Sequence, residues 1–120
     1  MTINEMKTEM DNASYKAEAD GWVYFSYNTV TRGYELYKAR PDGSEFSCIA
    51  ESKRRGWDAI RNIRAGTGWI YFDTEELYSV LNEECCEYDH YTENLKCKIK
   101  TDGTEFTELN SSGGYRGSSD

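Results

Sequence analysis

The segment YKARPDGSEF, residues 37–46, is written again as CKIKTDGTEF, residues 97–106. Lys98 follows Lys38 by 60 residues. A second phrase, DGWVYF at residues 20–25, returns as TGWIYF at residues 67–72, and there Trp69 follows Trp22 by only 47 residues. The same landmarks occur in the same order, with 13 extra residues inside the second copy. Two matched phrases in fixed order mark an internal duplication, and the repeated unit is the fold's building block.

Each phrase has a physical reading. Gly21 and Gly68 open runs of Trp, Val or Ile, Tyr and Phe, which favour pleated, packed backbone. These runs are apolar on both faces, as in strands covered from either side. Asp42-Gly43 and Asp102-Gly103 are hairpin signals, because glycine accepts positive φ. The strands predicted for the first unit are residues 14–19, 22–27, 35–40 and 45–50. Those for the second are 59–65, 69–72, 95–100 and 105–109. The fold class is therefore all-β and mainly antiparallel, as two four-stranded, blade-like meanders. One domain, residues 13–110, holds units 13–52 and 56–110, with an insertion at about 73–94. Residues 1–12 read as a flexible acidic N-terminus and 111–120 as a mobile Gly/Ser tail.

DGWVYF…ELYKARPDGSEF and TGWIYF…KCKIKTDGTEF resemble the Gly-Trp-Ile-Tyr-Tyr … Leu-Tyr-Lys-x-x-x-Asp-Gly repeats of a bacterial domain of unknown function. That domain is described as a β-propeller similar to those of low-density-lipoprotein-receptor-related proteins. The resemblance spans residues 20–109. It implies a scaffold for binding, often in exported or cell-surface proteins. Closed propellers hold four to eight blades, so three architectures stand: part of a longer propeller, a ring of several chains, or two meanders packed as a sandwich. The sandwich, or a dimer of it, is the expectation for this chain.

With 14 basic and 22 acidic residues among 120, the net charge is −8. Such a surface repels phosphate backbones and anionic lipid, so neither nucleic acid nor membrane is expected as a direct ligand. A basic protein surface, or another copy of the chain, is the expected partner. The first 20 residues carry no apolar run of the signal-peptide kind. The chain as written thus reads as cytoplasmic, or as cell-surface if it belongs to a longer exported protein.

The insertion is what the two units do not share. It carries Glu75, Glu76, Glu83, Glu84, Glu87, Asp89 and Glu93. Leu77, Val80, Leu81 and Cys85 follow helical spacing, which predicts a short amphipathic helix over residues 75–87. The rival is a strand, because ELY at 76–78 echoes ELY at 35–37. Insertions in repeat scaffolds tend to map to the binding face, and tyrosine is enriched at interfaces. The candidate protein-binding residues are Glu75, Glu76, Glu83, Glu84, Glu87, Tyr88, Asp89 and Tyr91, with Tyr78 beside them.

Cys85, Cys86, His90 and Cys97 carry donor types that suit zinc. Their spacing is not that of a CxxC pair, and adjacent cysteines point in different directions, so packing is expected for Cys97. Cys48, in an apolar strand, is expected to be a buried thiol. Lys53, Arg54 and Arg55 with Trp57, Arg61 and Arg64 form one basic patch, either a solvated connection or a partner for a neighbouring chain's acidic insertion. No catalytic motif, phosphate loop or cofactor is indicated. Three functions fit: a non-catalytic protein-binding module, a carbohydrate-binding module using exposed Trp and Tyr, or a small acidic phage-type inhibitor that mimics nucleic acid.

Overall fold

The computed structural model describes residues 2–54 and 56–119. A helix, α1 (Ile3–Asn12), precedes eight strands. The first four, β1 (Lys16–Ala19), β2 (Trp22–Asn28), β3 (Tyr34–Ala39) and β4 (Ser47–Ala50), form one antiparallel sheet in the order β1-β2-β3-β4. The next four, β5 (Ala59–Ala65), β6 (Trp69–Asn82), β7 (Glu87–Lys100) and β8 (Thr107–Ser119), form a second sheet in the order β5-β6-β7-β8. Each unit is a meander, so the chain is all-β with two four-stranded sheets and one short helix.

The duplicated phrase folds into duplicated geometry. Asp42 Oδ1 accepts from the Ser44 amide at 2.9 Å and its hydroxyl at 2.6 Å, and Asp102 accepts from Thr104 at the same two distances. The Gly43 amide donates to the Arg40 carbonyl at 2.8 Å, as Gly103 does to Lys100. Glu45 and Glu105 both take positive φ, at 54° and 57°. That turn keeps residues 45 and 105 out of the strands, so β4 and β8 begin two residues later than predicted.

The sheets pack face to face. Tyr24, Leu36 and Ala50 of the first sheet meet Ile60, Ile63, Ile70, Phe72, Leu95, Cys97 and Ile99 of the second, with Trp57 of the connecting segment among them. The Tyr24 hydroxyl and the Lys38 ammonium both donate to the Thr101 carbonyl, at 3.3 and 3.2 Å. The junction is thus fixed at the second copy of the repeated turn. On the other side of the first sheet, Val23, Phe25 and Ala39 meet Met6 and Met10 of α1. Strand β2 is covered on both faces, but a helix, not another sheet, lies on the second.

Three segments fold differently from what their sequence predicts. Residues 3–12, read as a flexible terminus, are helical. Thr2 caps the helix, its hydroxyl oxygen accepting from the Glu5 amide at 3.1 Å, and Thr-x-x-Glu is the sequence form of a capping box. Met6 and Met10 lie four residues apart, on one face, and are buried; each contributes roughly 1.5–3 kcal/mol by leaving water. The helix predicted over residues 75–87 is absent: β6 runs to Asn82 and pairs with β7 from Trp69↔Lys100 to Asn82↔Glu87. Leu77 and Leu81 on one face with Tyr78 and Val80 on the other fit a period of two as well as a helix, and the growing ladder decides between them. The 111–119 part of the tail, read as mobile, is strand β8, paired to β7 as far as Tyr88↔Ser119. The molecule is elongated, 53 × 30 × 21 Å, because these three long strands extend as an arm beyond the shorter first sheet.

Candidate functional site

The arm grows from the body without a break. Ile70, Phe72, Thr74 and Glu76 alternate into the interior, so Tyr78 and Val80 continue the same face. Across the ladder Tyr78 faces Tyr91, and Tyr91 faces Tyr115. Their rings form a row: Tyr78 and Tyr91 are stacked at 5.4 Å, and Tyr91 meets Tyr115 edge-on at 5.7 Å. Three strands therefore share one aromatic spine.

Arg54 fastens the base of the arm to the segment joining the two sheets. Its guanidinium lies 3.2 Å from Glu76, 2.9 Å from Glu93 and 4.1 Å from the Tyr78 ring centre. Ser52 Oγ donates to the Glu76 carboxylate as well. The Arg54 charge holds the Glu93 carboxyl below its ordinary pKa. The rest of the basic patch is also used within the chain: Lys53 pairs with Glu108 at 3.5 Å, Arg61 with Glu75 at 3.8 Å, and Arg64 lies 5.6 Å from the Tyr71 ring centre. Arg55 lies outside the described residues.

The eight candidate binding residues thus divide. Glu75 and Glu76 are held by arginines, with Glu76 buried, and Tyr91 is stacked inside the aromatic row. Glu83, Glu84, Glu87, Tyr88 and Asp89 come together at the tip. Glu83 and Glu84 sit in the turn, where the Glu84 amide donates to Asn82 Oδ1 at 3.1 Å. No Lys or Arg occurs between Glu75 and Glu93. Beside the tip carboxylates stand exposed Val80, Leu81 and Tyr88, at 50%, 48% and 47%. The acidic residues and Tyr88 were legible in the sequence, but exposed Val80 and Leu81 were not, because a helix would have turned Leu77, Val80 and Leu81 onto the sheet.

The zinc candidates do not converge. Cys85 and Cys86 are exposed in the tip turn, and Cys97 is buried in the core. His90 Nδ1 lies 2.6 Å from Ser79 Oγ on the opposite face of the arm. Seven residues of extended chain, about 23 Å, separate His90 from Cys97. All four cysteines are free. Burial, then the nearby Glu108 carboxylate, pushes the Cys97 thiol up to about 12.

A second polar cluster was not anticipated. Glu35, Cys48 and Glu51 bring ligand atoms within 4.8 Å of one another. Glu35 is almost wholly buried, and Arg32 already bridges the two carboxylates, at 3.2 Å from Glu35 and 3.6 Å from Glu51. Removal from water, then a hydrogen bond with Glu51, holds the Glu35 carboxyl above its ordinary pKa. Cys48, expected to be buried, is exposed as a residue: it lies on edge strand β4 opposite Tyr37, on the face that α1 covers in part. Its sulfur is still partly shielded, and that shielding with Glu35 and Glu51 pushes the thiol up to about 11. Glu35 stands where the second copy has buried Leu95, the one sign of this cluster in the sequence.

No family model, curated protein or solved structure matches this chain. Among the described residues no helix is long and apolar enough to cross a membrane.

Proposed function

We propose that the chain is a non-catalytic protein-binding module that contacts a basic protein surface through the tip of its β-arm. One observation carries this reading. Glu83, Glu84, Glu87 and Asp89 form no ion pair among the described residues, while every other carboxylate of the insertion is matched by an arginine or lysine. A charged rim around exposed apolar side chains is the anatomy of a protein contact. The resemblance to binding-scaffold repeats agrees with it, since the arm is the part that distinguishes the second unit from the first. The sugar-binding alternative draws less support. Trp57 is buried, and cationic side chains lie over Trp22 and Trp69, with Arg40 at 3.8 Å and Lys98 at 4.1 Å. For mimicry of nucleic acid, the free carboxylates gather at one tip instead of running along a face.

The test compares two variants of equal charge. In one, Glu83, Glu84, Glu87 and Asp89 become amides. In the other, Glu5, Glu9, Glu18 and Asp20 do. Binding to a panel of folded basic proteins is measured from about 50 to about 500 mM salt. The tip variant should lose binding and salt sensitivity while the control keeps both. Equal loss in the two would assign the attraction to net charge and remove the tip from the mechanism.

A further inference from the structure

Among the described residues strand β8, 13 residues long, is hydrogen-bonded to β7 alone, so its outer edge presents amide and carbonyl groups with no strand partner there. The other sheet's last strand, β4, has only four residues. Natural edges of such length are usually guarded by lysine, proline or bulges. Between Leu109 and Tyr115 β8 contains no charged residue and no proline. Its register shifts fall at the two ends of that run, where the pairing passes from Glu108 to Asn110 and from Tyr115 to Gly117. The run between, Asn110 to Tyr115, is regular and open, and Leu109 and Arg116 are the extra residues at its two shifts. Leu109 and Tyr115 at its ends are 50% and 59% exposed.

The side chains of this edge are complementary to themselves. When two copies of β8 are laid antiparallel about a two-fold axis at Ser112, Glu108 of each falls opposite Arg116 of the other. In the same register Leu109 falls opposite Tyr115, Asn110 opposite Gly114, and Ser111 opposite Gly113. Glu108 and Arg116 are the only charged residues from 107 to 117, and Leu109 and Tyr115 are the only large apolar ones. A single axis therefore matches both charges by sign and both apolar side chains with each other, with Glu108, already 3.5 Å from Lys53, shared between that lysine and the second copy's Arg116. An axis normal to the sheet keeps each face on its own side. Tyr115 shares a face with Tyr91 and Tyr78, so Leu109 of the second copy would extend the aromatic row.

We infer that β8 is a self-association edge: two copies pair through antiparallel β8 strands registered on Ser112, giving one continuous eight-stranded sheet. The interface is isologous, as two-fold symmetry requires. Its two acidic tips point to opposite ends, so the dimer would offer two contacts of the kind proposed above. Neither idea depends on the other, since the tip and the edge share no residue.

The experiment uses the full chain in sedimentation velocity from about 10 to about 500 µM, the range for a contact of modest area. A concentration-dependent dimer is expected. Glu108→Arg and Arg116→Glu should each weaken it at least about tenfold, because two matched pairs per dimer become like-charged. The double exchange, E108R with R116E, should restore it. With Cys48, Cys85 and Cys86 replaced by serine, Ser112→Cys should cross-link to itself under mild oxidation, a readout that leaves both charges in place. A monomer at every concentration overturns the proposal. So does a dimer indifferent to the single exchanges, or one in which residue 112 fails to cross-link.

Discussion

Replacing Arg54 with alanine is expected to loosen the arm at its base. The Glu76 side chain is only 6% exposed and Glu93 23%, while Arg54 itself is 31% exposed. Removing one partner of a buried ion pair costs about 3–5 kcal/mol, mostly because the other charge stays buried and unmatched. Arg54 is nearly a third open to water and Ser52 still donates to Glu76, which lowers the figure to about 2–3 kcal/mol. The lost contact with Tyr78 adds about 0.5–1 kcal/mol. The sum, about 3 kcal/mol, corresponds to a urea midpoint lowered by about 1.5 M at a slope of about 2 kcal/mol/M. The partner variant is R54A with Glu76→Gln, in which the buried Glu76 charge is no longer stranded and only the more exposed Glu93 lacks its partner. It should recover about 1.5 kcal/mol relative to R54A alone. The pH dependence has a definite sign. The folded Glu93 carboxyl titrates below its unfolded value, so its contribution is present above pH ~4.3 and is lost as pH falls through the folded value. The gap between the native protein and R54A should therefore narrow on acidification. A midpoint shift under about 0.3 M, or a double variant as unstable as simple addition requires, would refute the clamp.

Three further outcomes follow from the same geometry. Gly43→Ala and Gly103→Ala sit in copies of one turn at φ +90° and +89°, but a Cβ at 43 would lie 2.5 Å from the Ile3 carbonyl of α1, whereas at 103 it would meet Ile49 at an ordinary 3.5 Å. Both should destabilise, by about 1 kcal/mol for the strained φ, with Gly43→Ala clearly the worse in urea melts; equal losses would mean that α1 does not rest on that turn. For Glu35→Gln, the folded carboxyl titrates above its unfolded value, so the native protein loses stability as pH rises through that interval. The variant should gain on the native protein between acid and neutral pH, and a stability difference that is flat with pH would show that Glu35 is not desolvated. In thiol labelling near pH 8, Cys85 and Cys86 should react first, Cys48 more slowly with its thiol pushed up to about 11, and Cys97 only on unfolding; prompt reaction at Cys97 would contradict its place in the core.

Much of the fold was legible because its signals are local and occur twice. Gly-Trp followed by apolar residues, and Asp-Gly between two runs, mark the same three strands in each unit, and a further strand precedes each Gly-Trp. The capping box at Thr2 and Glu5, with Met6 and Met10 four residues apart, was equally readable, but an acidic run at a terminus masks a helix whose apolar face is only two methionines wide. The arm was harder. Residues 76–82 suit a helix and a strand almost equally, and the Gly/Ser composition of 111–119 resembles a tail. Each of these segments becomes a strand because the other is there to pair with β7. Of the candidate site, the carboxylates were legible by type and only partly by use. Nothing local distinguishes Glu76, buried under Arg54, from Glu83, open at the tip.

By itself, then, the sequence determined the repeated meander, the two matched turns, the all-β class and the acidic character of the insertion. These depend on backbone preferences and on periodicity within a few residues. The tertiary structure alone decided which face of β2 takes a helix and which a sheet, and that 73–94 extends as strands. It also decided which carboxylates are neutralised and which edge is left open. Those outcomes turn on contacts between residues such as Arg54 and Glu93, or Gly43 and Ile3, that are distant in the chain. Their energies exist only once both sheets are in place.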